Sequence, residues 1–168
     1  MFQVNDVIIY GMQGVCKITG TEEKIISRKR RTYFVLKPVR DEASTVFVPT
    51  DNACVLGKMR RLLTKDEIYR LVASTPEENT TWETDENIRR ELFKDILAKG
   101  DPAELMKMLK VIYAHKQARE AAGKRLHLSD ERFFKDAEQI LYNEFQYVLD
   151  ITSKDELLTH LFSQRKKE

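Results

Sequence analysis

The chain holds one tryptophan, Trp82, and it lies in the polar stretch ENTTWETDEN, Glu78 to Asn87. A lone Trp in such surroundings can do one of two things. It can plug the gap where two elements meet. Or it can stand exposed, where its flat apolar ring wedges between base steps and its indole N–H donates to minor-groove acceptors. Arg89, Arg90 and Lys94 follow on what reads as the same helix and are candidates to hold phosphates. A second basic group lies further on. Lys107, Lys110, Lys116, Arg119, Lys124 and Arg125 face only Glu120 in that span, a local balance of +5. Lys116, Arg119 and Lys124 can share one exposed helix face, either merely solvated or set for phosphate contacts that act within about 8–10 Å. A third group, SRKRR at Ser27 to Arg31, puts four consecutive positive charges between two apparent strands. It is either a solvated hairpin tip or a handle for an acidic surface.

Nothing comparable points to catalysis. His115, His127 and His160 fall on separate helical segments, and neither Cys16 nor Cys54 has a His near it in sequence. No pair has metal-ligand spacing, and YGMQG has two glycines without the Lys-Ser/Thr of a phosphate loop. The expectation is a protein that is not an enzyme, with no cofactor, no metal and no small-molecule substrate. Two cysteines are too few for a disulfide framework and fit a reducing cytoplasm. The start MFQVNDVIIY has no basic leader region, and no apolar run approaches the roughly 20 residues of a membrane span.

The elements that must position these groups change character along the chain. Residues 1–75 carry 13 Lys and Arg against 8 Asp and Glu, a balance of +5, whereas the remainder carries 16 against 19, a balance of −3. That asymmetry suggests two modules. In the first, DVIIY, GVCKI, EEKIIS, TYFVLKPV and STVFVP are short β-branched or aromatic runs separated by Gly11, Gly14, Gly20, the basic run and RDEAS. Five short strands without intervening helices predict a small antiparallel barrel over residues 1–57.

From Lys58 the period becomes helical. Thr64 and Glu67 have capping-box spacing before a helix that ends ahead of Pro76. Ile88, Leu92, Ile96 and Leu97 form a stripe stopping at Gly100, and Asp101-Pro102 opens a helix buried through Leu105, Met108, Leu109 and Ile112. Ser129 is expected to cap a helix carrying Phe133, Ala137, Ile140, Leu141 and Val148. Ser153 and Glu156 cap a last helix, after which the tail SQRKKE should fray. The fold class is therefore α+β, with a β module at 1–57, a hinge near 57–64, and a bundle of about five helices over 58–168.

These pieces together resemble the CarD/CdnL family of bacterial transcription regulators. The residues that carry the resemblance are MFQVNDVIIYGMQGVCKI, YFVLKP, TVFVPTDNA, the isolated Trp82 before a helix, KGDP and AEQILYNEF. The N-terminal part is also similar to the polymerase-interacting module of transcription-repair coupling factor, a Tudor/SH3-like barrel. The resemblance implies a barrel docked on the β subunit of RNA polymerase, with Lys24, Ile26, Arg28 and Phe47 as the docking residues. It implies a helical domain at the upstream edge of the transcription bubble, with Trp82 wedged in the minor groove. Arg89, Arg90, Lys94, Lys107, Lys116, Arg119, Lys124 and Arg125 would contact promoter DNA. Such a protein is a monomer that stabilises the open complex, working in the cytoplasm on the nucleoid. Two departures stand out: family members can carry Arg where this chain has Phe47, and ETDEN after the Trp is acidic where relatives can be basic. The alternative is a polymerase-docked adaptor whose helices bind another protein.

Overall fold

The computed structural model describes residues 2–74 and 82–162. The stop ahead of Pro76 and the frayed tail lie outside these residues. The chain divides into two compact units, Met1–Leu62 and Leu63–Glu168.

The first unit is an antiparallel sheet in the order β4-β3-β2-β1-β5. Its strands are β1 (Val7–Tyr10), β2 (Gly14–Ile26), β3 (Lys29–Pro38), β4 (Val46–Pro49) and β5 (Met59–Arg61), with a one-turn helix α1 (Ala53–Leu56) before β5. Three expectations are corrected. GVCKI and EEKIIS are one strand, not two. Gly20 does not end a strand; the register slips between Ile18 and Gly20, so Thr19 is a bulge residue and pairing with β3 continues to the hairpin tip. The fifth strand is Met59–Arg61, which pairs with β1 and carries the sheet past residue 57. The sheet is open, ending in β4 and β5 among the described residues, so the barrel is a loose one. Gly14 sits at φ 76° and ψ −143°, a conformation only glycine adopts readily, and it lets the chain leave the 3-10 turn Gly11–Gln13 and enter β2.

One face of the sheet buries Ile8, Cys16, Ile18, Leu36, Val48 and Met59. Burial in this apolar setting pushes the Cys16 thiol up to about 11. Cys54 is exposed. A disulfide-exchange reagent at neutral pH is therefore expected to label one thiol promptly, Cys54. Cys16 should react only when denaturant opens the sheet, because thiolate rather than thiol attacks.

The second unit is a helical bundle: α2 (Lys65–Ser74), α3 (Glu86–Lys99), α4 (Pro102–Ala121), α5 (Leu128–Leu149) and α6 (Lys154–Phe162). Leu105, Met106, Met108, Leu109 and Ile112 of α4 pack with Ala137, Ile140, Leu141 and Phe145 of α5; Ile68, Val72, Phe93, Leu97 and Leu157 close the core. Local signals explain the ends. Thr64 Oγ1 accepts from the Glu67 amide at 3.2 Å, and Ser153 Oγ accepts from the Glu156 amide at 3.2 Å. Gly100 takes the left-handed conformation that ends α3.

Two helices differ from expectation. In α3 Leu97 is buried and Ile96 packs on the core as expected, but the rest of the buried stripe is Arg89 and Phe93, one position round from Ile88 and Leu92, which are 57% and 48% exposed. Phe93 and Leu97 turn that side inward by packing in the core, and Arg89 is accommodated there by an ion pair. Helix α5 begins at Leu128 with His127 as its N-cap, two residues earlier than Ser129 predicts. This puts Asp130 in the first turn, where the helix dipole favours a carboxylate.

Candidate nucleic-acid interface and sheet docking face

The acidic stretch after Trp82 folds onto itself as a helix start. Asp85 Oδ1 accepts from the amides of Asn87 at 3.0 Å and Ile88 at 3.2 Å, the geometry of an N-cap. Glu83 Oε1 accepts from the Asp85 amide at 3.1 Å. These oxygens satisfy backbone donors that the first turn of α3 would otherwise leave free. Trp82 is thereby held directly ahead of α3.

Trp82 is half-buried and packs against the core of the helical unit. Its ring lies flat on His115 of α4, with centroids 3.7 Å apart and planes 4° from parallel. Phe93 meets it edge-on at 6.3 Å and 62°, and Phe93 in turn meets Phe133 at 5.5 Å. The Arg89 guanidinium carbon is 4.6 Å from the Trp82 ring centroid. His115 is drawn below the ordinary imidazole range, first by burial and then by the Arg119 charge; Arg89 and His127 add to this and Asp130 opposes it.

Two basic residues that the sequence singled out, Arg89 and Lys110, are removed from solvent, and Arg89 lies beside Trp82. Arg89 is 4% exposed, and Asp130 beside it is fully buried. Nε and Nη2 of Arg89 each donate to an Asp130 oxygen at 2.9 Å, and Nη1 donates to the Glu83 carbonyl at 3.0 Å. With the guanidinium committed on three sides, Arg89 is not presented to a phosphate. It braces Trp82 instead.

The other basic residues divide by partner. Arg90 pairs with Glu86 at 2.8 Å, Lys94 with Glu91 at 3.8 Å and Lys107 with Glu104 at 3.5 Å, all on exposed helix faces. Such pairs are worth only about 0–1 kcal/mol, so the cations stay available to other anions. Lys116 is half-buried, with its ammonium 6.0 Å from the Phe134 ring centroid. Arg119 Nε donates to the Arg125 carbonyl at 2.6 Å, which ties the end of α4 to the following loop. Lys124 and Arg125 are exposed, and neither side chain has an ion-pair partner among the described residues. The structure thus joins Arg119 to Arg125, and the Arg119 charge acts on His115 of the Trp82 stack.

Sequence reasoning missed His115 and Asp130. A signal for His115 was present. It continues the buried stripe of α4 at three residues past Ile112, with Arg119 four further on.

On the sheet unit, Lys24, Ile26 and Phe47 share a face. Phe47 pairs with Val35 and Val35 with Gly20, and Gly20, Lys24 and Ile26 alternate onto that same side of β2. The Lys24 ammonium lies 3.3 Å from the Phe47 ring centroid. Ile26 is 52% exposed and Phe47 36%. Arg28 sits in the two-residue turn between Ile26 and Lys29, where Ser27 and Arg28 have φ of 54° and 64°. Positive φ at both positions is the hairpin geometry that suits the twist of the flanking strands.

Residues 2–63 match the family described as the CarD-like/TRCF RID domain. The match ends within one residue of the boundary between the two units. The match spans the sheet unit and supports an RNA polymerase-interacting, transcription-related protein. Domains of this kind are in general non-enzymatic. Among the described residues no helix is long and apolar enough to cross a membrane.

Proposed function

We propose that the protein is a non-enzymatic regulator that grips the β subunit of RNA polymerase with its sheet unit and promoter DNA with its helical unit. The observation that carries this reading is the RID match over residues 2–63, followed by a helical unit whose one tryptophan is half-exposed and stacked on His115. Lys24, Ile26, Arg28 and Phe47 form the polymerase contact. Trp82 enters the minor groove at the upstream edge of the bubble, and Arg90, Lys94, Lys107, Lys116, Arg119, Lys124 and Arg125 supply phosphate contacts. Docking by the first unit raises the effective concentration of the second at the fork to about millimolar, so weak DNA affinity is enough. A wedge that fits the fork better than closed duplex binds the open complex more tightly, and that difference alone shifts the equilibrium. A preference of about 1.4 kcal/mol shifts it about tenfold. The degenerate minor-groove code makes the effect largely independent of base sequence. The protein acts as a monomer, in the cytoplasm, on polymerase-bearing DNA.

A second reading has its own support. Trp82 packs on the helical core and is covered by His115, as a plug would be. The helices would then bind another protein, and the chain would be a polymerase-docked adaptor. The lifetime of an open promoter complex, measured with purified holoenzyme and a DNA competitor, separates the two. The wild type is expected to lengthen it, and folded Trp82→Ala to lose about tenfold of that gain. No lengthening by a wild type that still binds polymerase would select the adaptor, whereas equal lengthening by the two proteins would leave the DNA contact to the basic residues and make Trp82 a plug.

A further inference from the structure

Trp82 is not a free ring. It is sandwiched into a network in which His115 lies parallel at 3.7 Å, Arg89 approaches at 4.6 Å, and Arg89 is itself pinned by Asp130 and the Glu83 carbonyl. Three elements converge here: the start of α3, the middle of α4 and the first turn of α5. A wedge held in one orientation does not have to give up side-chain freedom when it inserts, and that saving appears as affinity. Arg89 cannot supply the whole constraint. Its guanidinium plane answers to Asp130, whereas the flat imidazole is the group whose plane matches the indole.

We infer that His115 is the positioning residue for Trp82: stacked as a neutral imidazole it fixes the indole for insertion, and proton uptake by His115 releases it. This rests on the DNA reading given above. Burial of the imidazole against the indole sets the direction, and the charges around it add to this. Arg119 on its own helix, Arg89 from α3 and His127 at the start of α5 all disfavour a second positive charge; only Asp130 favours one, and it is already engaged by Arg89. The imidazole therefore binds a proton less readily when stacked than when free. By linkage, the stack is fully populated above the ordinary imidazole range near 6.5 and loses population as pH falls below it.

The test compares wild type, Trp82→Ala, His115→Ala and His115→Phe, all as full-length chains checked by thermal unfolding. In free protein, Trp82 fluorescence of the wild type should change with a midpoint below about 6.5, and both His115 variants should lack that transition. With holoenzyme at about pH 8, His115→Ala should lose most of the open-complex lifetime that Trp82→Ala loses. His115→Phe, which keeps a flat ring, should stay within about twofold of wild type. Between about pH 8 and pH 6 the wild-type gain over polymerase alone should shrink, while the gain given by His115→Phe should not. A role confined to packing would leave no difference in pH response between those two proteins. A His115→Ala lifetime equal to wild type, where Trp82→Ala shortens it, overturns the positioning role alone. No effect of Trp82→Ala overturns the wedge role of Trp82 and this inference with it. Should His115→Ala fail to fold, the pH comparison with His115→Phe decides.

Discussion

Asp130→Ala is expected to destabilise the helical unit by about 3–5 kcal/mol, the cost of removing one partner from a buried ion pair. Arg89, 4% exposed in the wild type, would lose two of its three hydrogen bonds. The charge cannot be shed, because guanidinium stays protonated at any ordinary pH. Chemical denaturation followed by far-ultraviolet circular dichroism measures the loss. Glu86→Ala serves as the comparison. It breaks the exposed Arg90 pair and should cost under about 1 kcal/mol. The double replacement Arg89→Met with Asp130→Leu should recover most of the loss, since no unpaired charge is left behind. A loss below about 1 kcal/mol in Asp130→Ala would mean that water reaches the guanidinium and that Trp82 is braced by packing alone.

Phe47→Ala is expected to weaken binding to RNA polymerase by about thirtyfold, corresponding to roughly 2 kcal/mol for a partly exposed aromatic anchor. The ring does two things at once. It offers apolar surface on the outer side of β4, and it holds the Lys24 ammonium at 3.3 Å. Truncation therefore removes contact area and frees the lysine, so the partner loses both a surface and a fixed charge. Because Phe47 is 36% exposed and outside the buried cluster of the sheet, stability should change far less than affinity. Kd for purified polymerase and the unfolding midpoint, measured on the same protein, read the two effects separately. Unchanged affinity with Phe47→Ala would move the docking surface away from this face.

Much of this was written in local chemistry. The capping boxes at Thr64–Glu67 and Ser153–Glu156, Pro102 at the head of α4 and Gly100 at the foot of α3 act through neighbours three or four residues away. Such signals can be read without knowing the fold. The apolar stripe of α4 was equally plain because four aliphatic side chains repeat at helical spacing. Bulges and short edge strands are harder. Gly20 looks like a turn residue, and only its pairing partner on β3 reveals that the strand runs through it. Met59–Arg61 has two arginines in three residues and becomes a strand only because β1 is there to pair with it.

The sequence by itself determined that this chain has a sheet module followed by helices, where most helices begin and end, and that its one tryptophan would precede a helix. It determined these because hydrophobic period, caps and turn residues act locally. Only the tertiary structure decided what each charged or aromatic side chain does. Arg89 reads as a surface cation until Asp130, 41 residues away, is brought beside it. His115 reads as one scattered histidine until α3 sets the indole on it. Burial removes water, and without water a charge must be matched and a ring must be packed. Which partner does so depends on distances between helices that no local pattern encodes.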